Sequence, residues 1–362
     1  MKIIHTGDIH LGCTPDIGAP WARKRQADIW RTFEDIIRLA DEKQADLLLI
    51  CGDLFHRQPQ LKQIKAVNQL FASIKDTEIV ITAGNHDFLV FGSPYYSFNW
   101  SDNVHFIKSP KLTGVELVKL NTVVHGFSYY EQSPADAAGL VGNIICPDDD
   151  KRHILMLHGG DDTHIPLNFG ALARKGFDYT ALAHIHKPEL FENLPMAYCG
   201  SPEPLDKTER GPHGCIFAEL DDKSFNLRFV PLARSAYIYC KIKITPDTTV
   251  SSLRNTMAHI IQEKGSHNIF TFTLIGTNSG ELVINTEDYA DIGNIIAVND
   301  ESTPGYDLDA ILSEHKNDLI GRFIDTLADS SSDEAAGSTK INALYYGLSA
   351  LLKSTDRDGG AK

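Results

Sequence analysis

Three apolar runs in the first ninety residues, "KIIHTGD", "DLLLICGD" and "EIVITAGNHD", are separated by two stretches of helical periodicity. Ile29, Trp30, Phe33, Ile36, Ile37 and Ala40 mark the first, and Leu61, Ile64, Val67, Leu70, Phe71 and Ile74 the second. A β-α-β-α-β run leaves few folds open, because its strands must be parallel and its crossovers right-handed. It also fixes where chemistry belongs. In open α/β sheets ligands bind at the carboxyl ends of the strands.

From about residue 104 the texture changes to many short strand-like runs, among them "TVVHGF", "HILMLHG", "YTALAHIH" and "GCIFAEL". A second sheet accommodates them, giving an α/β domain over residues 1–235 built as a two-sheet β-sandwich flanked by helices. Strand, helix and strand patterns over 236–300 predict a small α+β domain. Apolar stripes over 301–362 predict C-terminal helices, interrupted by a flexible acidic linker at 329–339, "DSSSDEAAGST".

The strand ends carry the informative side chains. The first supplies Asp8 and His10, the second Asp53 and His56, the third Asn85, His86 and Asp87; later strands add His158 and the pair His184 and His186. Singly, a Gly-Asp or a lone histidine is ordinary turn chemistry. Five such clusters, all at strand ends, point instead to a metal centre. Carboxylate, imidazole and amide oxygen suit manganese, iron or zinc; calcium asks for more oxygens. His184 and His186 share a face and are ~6–7 Å apart along an extended strand, a separation that suits two adjacent ions.

"GDIH", "GDLFH", "GNHD", "LHGG" and "AHIH" resemble the five motifs of the calcineurin-like metallophosphoesterases, and the chain is most similar to SbcD-type DNA double-strand-break repair nucleases. "CGSPEPLD" and "DESTPGYDLDAIL" extend that likeness over nearly the whole chain. The resemblance implies a two-metal site, with Mn2+ the expected metal: Asp8, His10 and His186 for one ion, Asn85, His158 and His184 for the other, Asp53 between them. It implies attack on a phosphodiester by a bridging, metal-activated hydroxide. His86 would assist the leaving group with Asp87 orienting its ring, and His56 would be the third catalytic candidate, either hydrogen-bonding in the active site or supporting it structurally. One departure is Ala183, where the family usually has glycine; the position must tolerate a Cβ.

The same resemblance implies a 3'-to-5' DNA exonuclease with endonuclease action, a capping domain over 236–300, and C-terminal helices that dock on an SbcC-type coiled-coil ATPase. It also suggests a homodimer through the phosphoesterase domain. A phosphoesterase of small phosphodiesters or phosphomonoesters is the alternative, and a non-catalytic regulatory subunit the third reading. With a net charge of -14, contact with DNA calls for local basic clusters, for which Arg23, Lys24, Arg25, Lys62 and Lys65 are the candidates. The absence of a signal-peptide pattern and of a bilayer-length apolar run makes a cytoplasmic location the expectation, with work at the nucleoid and no membrane contact. Six scattered cysteines, none in a CxxC pair, predict reduced thiols.

Overall fold

A computed structural model describes residues 1–133, 144–222, 224–278, 284–328, 343–348 and 350–352. The 329–339 linker lies outside the described residues. The chain divides into two compact units, Met1–Tyr237 and Ile238–Lys362.

In the first unit, β1 (Lys2–Thr6), β2 (Leu47–Cys51), β3 (Glu78–Thr82) and β4 (Val104–Phe106) run parallel, and β11 (Gly214–Leu220) and β12 (Phe225–Pro231) extend the sheet antiparallel beyond β1. The second sheet has the order β5 (Thr113–Leu117), β6 (Thr122–Gly126), β7 (Arg152–His158), β8 (Tyr179–Ala183), β10 (Met196–Tyr198), β9 (Glu189–Leu190). Helices α1 (Ala22–Lys43) and α2 (Leu61–Ser73) are the two crossovers read from periodicity.

Alternation along each strand builds the layers. Ile4, Leu48, Ile50, Ile79 and Ile81 pack on Ile29, Phe33, Ile36, Ile64, Val67 and Phe71 of the helices. Their neighbours Ile3, Leu47, Leu49, Cys51 and Val80 face Val124, Ile154, Met156, Tyr179 and Ala181 of the other sheet. The other face of that second sheet buries Leu155, Leu157 and Leu182 with Leu172 and Phe177. This is the two-sheet sandwich with helices outside that the sequence predicts. Both central strands of each sheet are buried on two faces, so their carboxyl ends are the places where polar side chains can gather without interrupting a core.

The second unit holds a sheet ordered β13 (Tyr237–Ile244), β14 (Ile269–Asn278), β15 (Ile295–Asp300), with β16 (Thr303–Pro304) beside β14. The helix Val250–Lys264, whose N-cap Thr249 forms a capping box with Ser252, buries Leu253, Met257 and Ile261 against Phe270, Phe272 and Leu274. Helices Leu308–Glu314 and Leu319–Ala328 and the helical residues 343–348 pack their stripes on one another: Ile320, Ile324, Leu344 and Leu348 are buried together. The apolar stripes of the terminal helices are therefore largely covered within the chain, so they do not by themselves demand a docked partner. Among the described residues no helix is long and apolar enough to cross a membrane.

Candidate metal centre

The ends of β1, β2, β3, β7 and β8 converge. Asp8, His10, Asp53, Asn85 and His158 are buried, and His184 and His186 are partly so. Asp8, His10 and His186 each offer a ligand atom, all mutually within 4.8 Å; so do Asp8, Asp53 and His158. His10 Nε2 is 3.3 Å from His186 Nε2 and 3.6 Å from Asp53 Oδ2. On the other side, Asp53 Oδ2 is 3.5 Å from His158 Nε2, which lies 2.8 Å from Asn85 Oδ1, itself 3.2 Å from His184 Nδ1. Asp53 thus stands between two nests of donors.

Backbone strain is concentrated at this place. Asp8, His10, Asp53 and His184 have φ of 48°, 52°, 51° and 94°, in the left-handed region that residues with a Cβ avoid. Such conformations cost ~1–3 kcal/mol each and persist only where the surroundings enforce them. Here they turn the chain sharply just past the strand ends at Thr6, Cys51 and Ala183, so that the side chains that follow gather in the cluster. Gly84 permits the closest approach: a Cβ there would stand 2.2 Å from Asp53 Oδ1. Ala183 is tolerated because its methyl faces Gly7, which has none of its own; a Cβ added at Gly7 would meet it at 2.7 Å.

The electrostatics are those of buried acids surrounded by imidazoles. Burial raises the Asp8 carboxyl, an effect the neighbouring histidines oppose. Asp53 is held well below the usual carboxylate range: burial works against this, but His158 and His10 outweigh it. For His158, burial would lower the imidazole, yet Asp53 and Asp8 prevail and raise it to about 9. His10, enclosed by burial and by other imidazoles, is pushed well below its ordinary value. Asp8 Oδ1 is buried with no hydrogen-bond partner, an expensive state for a carboxylate oxygen unless a cation serves it. The donors are all nitrogen or oxygen and carry two negative charges, a set suited to divalent transition metals.

Each imidazole also has something behind it. His158 Nδ1 donates to the Cys51 carbonyl at 2.9 Å, leaving Nε2 to face Asn85 and Asp53. His10 Nδ1 lies 3.4 Å from His56 Nδ1. His184 Nε2 reaches Asp161 Oδ2 at 2.7 Å, and His186 Nδ1 reaches Glu209 Oε1 at 2.6 Å. Asp161 and Glu209 were not legible in the sequence as site residues. Asp161 lies three positions after His158, which is a signal in hindsight, whereas Glu209 sits in the polar run "DKTERG" and offers none.

His86 stands at the rim. Its backbone N–H donates to Asp53 Oδ1 at 2.9 Å, its Nδ1 is 3.3 Å from the His56 carbonyl, and its ring stacks on His56 with centroids 5.3 Å apart. Asp87 does not orient that ring. Its buried carboxylate accepts from Gly84 N at 2.8 Å, Phe55 N at 3.2 Å and the Tyr95 hydroxyl at 3.2 Å, tying the third strand-end loop to the second. Burial and the nearby Asp53 push it up to about 7. The assignment of Asp87 to His86 is thereby corrected, because these three donors occupy both oxygens of the carboxylate.

The basic candidates separate sharply. Arg23, Lys62 and Lys65 are exposed, and Lys24 pairs with Asp28 at 2.9 Å. Arg25 is 1% exposed and bonds to Glu203 at 2.6 Å and to the Pro204 carbonyl. A guanidinium enclosed in this way cannot reach a phosphate, so Arg25 is a structural ion pair and not a DNA contact. Glu203, from "CGSPEPLD", also accepts from Thr32 Oγ1, which ties that segment to α1.

Comparison with known proteins agrees with this geometry. The chain is 26% identical over 248 residues to an uncharacterized metallophosphoesterase, YhaO, of Bacillus subtilis, covering 63% of this chain and 60% of that one. It is 27% identical over 256 residues to the DNA double-strand break repair protein Mre11 of Methanopyrus kandleri (61% and 54%), and 29% identical over 225 residues to Mre11 of Halobacterium salinarum (59% and 54%). The matches thus span between about half and three fifths of the length of these relatives. The model of the calcineurin-like phosphoesterase family matches residues 1–188, which contain every member of the cluster from Asp8 to His186. More than half of its length thus matching, the chain belongs to the calcineurin-like phosphoesterases, a family of metal-dependent phosphoester hydrolases.

Proposed function

We propose that this chain is a dinuclear-metal phosphodiesterase acting on DNA ends in double-strand-break repair. Asp8, His10 and His186 hold one ion; Asn85, His158 and His184 hold the other; Asp53 is shared. The observation that carries the metal assignment is Asp53 Oδ2 standing 3.6 Å from His10 Nε2 and 3.5 Å from His158 Nε2, a single carboxylate oxygen between two sets of donors. Manganese is the expected metal, with iron or zinc also matched by the donors. Bound there, such a pair supplies an acidified water and polarises the phosphoryl oxygens.

The residues do the rest. The partners behind the histidine rings hold them so that one nitrogen of each faces the ligand cluster. His86, with Nδ1–H given to the His56 carbonyl, has Nε2 free to protonate the departing sugar oxygen. Asp87 keeps the loop of His86 in place through backbone N–H groups, a supporting role rather than a proton-handling one. Arg23, Lys62 and Lys65 remain the candidates for phosphate contact.

Support for DNA as substrate comes from the two relatives named as double-strand break repair proteins. A 3'-to-5' exonuclease working with a coiled-coil ATPase is the corresponding finer reading. The uncharacterized relative matches at similar identity and favours equally a phosphoesterase of small substrates. Mn2+-dependent release of nucleotides from linear duplex DNA, measured beside hydrolysis of an aryl phosphodiester, separates the two. The nuclease reading expects both activities. Hydrolysis of the aryl ester alone would overturn it in favour of the small-substrate reading.

A further inference from the structure

The two histidines of "AHIH" are backed by carboxylates through opposite ring nitrogens. His184 turns Nδ1 toward Asn85 and Nε2 toward Asp161; His186 turns Nε2 toward His10 and Nδ1 toward Glu209. Each carboxylate sets one oxygen on the imidazole and anchors the other in its own loop; both oxygens of Asp161 also lie 3.1 Å from His164 Nδ1. Asp161 Oδ1 accepts from Thr163 N at 2.8 Å, Thr163 Oγ1 at 2.9 Å and His164 N at 2.6 Å. Glu209 Oε2 accepts from Ser201 Oγ and Leu205 N, both at 3.0 Å. His10 and His158, by contrast, have an imidazole and a backbone carbonyl behind them.

We propose that Glu209 and Asp161 are positioning residues, one for each ion: Glu209 sets His186 for the ion held with Asp8 and His10, and Asp161 sets His184 for the ion held with Asn85 and His158. The inference rests on the two-ion reading above. A carboxylate that accepts the outer N–H fixes the tautomer, fixes the plane of the ring and makes its inner nitrogen a better donor. The anchored oxygens matter because a carboxylate free to rotate could not orient anything. Five groups on Asp161, the His164 imidazole among them, and three on Glu209 hold both side chains in place.

There is a rival arrangement. Asp161, His164 and His184 also offer ligand atoms within 4.8 Å of one another, a geometry that could hold a cation by itself. Asp161 Oδ1 is already committed to three donors of its own loop, which favours the positioning role.

The test is a Mn2+ titration of metal-free protein, with free Mn2+ read by its EPR signal, so that hydrolysis is not needed. Wild type takes two ions. Glu209→Gln and Asp161→Asn each weaken one ion by about 10–100-fold and leave the other unchanged. Single-ion backgrounds identify which. With His158→Ala, only Glu209→Gln weakens the ion that remains; with His10→Ala, only Asp161→Asn does. Ser201→Ala and Thr163→Ala, which loosen the carboxylates without removing them, weaken the same ions by smaller factors, and the metal-free unfolding midpoint stays at that of wild type in all four. Equal weakening of both ions, no weakening, or a fall in metal-free stability that tracks the affinity loss would overturn the positioning roles. A third ion in wild type that Asp161→Asn abolishes would establish the rival arrangement. Wild type binding no Mn2+ at all would instead refute the two-ion reading, and that appears before any variant is made.

Discussion

The two units of the chain are built by different rules. Every described non-glycine residue with positive φ lies in the first unit. So, among the described residues, does every buried charged or imidazole side chain, including Asp8, His10, Arg25, Asp53, Asp87, His158 and Glu203. The buried polar residues described in the second unit are Asn268 and Thr271, both uncharged. Strain and buried charge are costly, and a fold keeps them only where surrounding structure enforces them. Their confinement to one unit marks that unit as the one whose geometry serves chemistry, whereas the second shows ordinary amphipathic packing. Removing a side chain from the strand-end cluster of the first unit should therefore alter function out of proportion to stability, and from the second unit the reverse.

The largest effect tests the shared carboxylate. Asp53→Ala should abolish hydrolysis and reduce bound Mn2+ from two ions to none at micromolar free metal, as measured by elemental analysis after dialysis. Retention of two ions would remove Asp53 from its central place. His86→Ala comes next, lowering kcat by roughly 10²–10⁴-fold while both ions remain; loss of either ion would show that His86 is a ligand and not a proton donor.

Two substitutions then probe packing. Phe272 is fully buried beneath the helix Val250–Lys264, and Phe272→Ala should lower the stability of the second unit by about 3–5 kcal/mol in denaturant unfolding. Hydrolysis of an aryl phosphodiester should not change, because the described cluster from Asp8 to Glu209 lies within the first unit. An equal loss of hydrolysis would break the proposed division of labour. Arg25→Ala should cost the first unit about 3–5 kcal/mol, since Glu203 would be left buried and unpaired. The smallest effect is expected at Lys62: Lys62→Ala should shift stability by less than about 0.5 kcal/mol and reduce the salt dependence of DNA binding by roughly one charge.

Arg25 also illustrates what a sequence hides. In "WARKRQADI" it reads as one of three surface cations, yet it precedes Ile29 by four residues and so falls on the buried stripe with Ala22, Ile29, Phe33 and Ile36. Its partner Glu203 lies 178 positions away. The sandwich and the converging strand ends were readable because parallel strands separated by helices place their ends on one edge, and because Asp, His and Asn recur there. Asp161 and Glu209 were not, since an acid in a polar loop looks solvated until the fold brings a histidine to it. Asp87 was misread for a related reason: adjacency to His86 in sequence suggested contact, whereas the sharp turn after Asn85 sends the carboxylate to Gly84, Phe55 and Tyr95. The terminal helices have the same lesson, with stripes that call for burial but do not say against what.

The most direct test is a crystal soaked in Mn2+ and measured at the manganese absorption edge. Two anomalous peaks about 3.5–4 Å apart are expected, one among Asp8, His10 and His186, the other among Asn85, His158 and His184, with the Asp53 carboxylate between them. A single peak, or peaks placed only by Asp161 and His164, would contradict the shared-carboxylate centre on which the functional account stands.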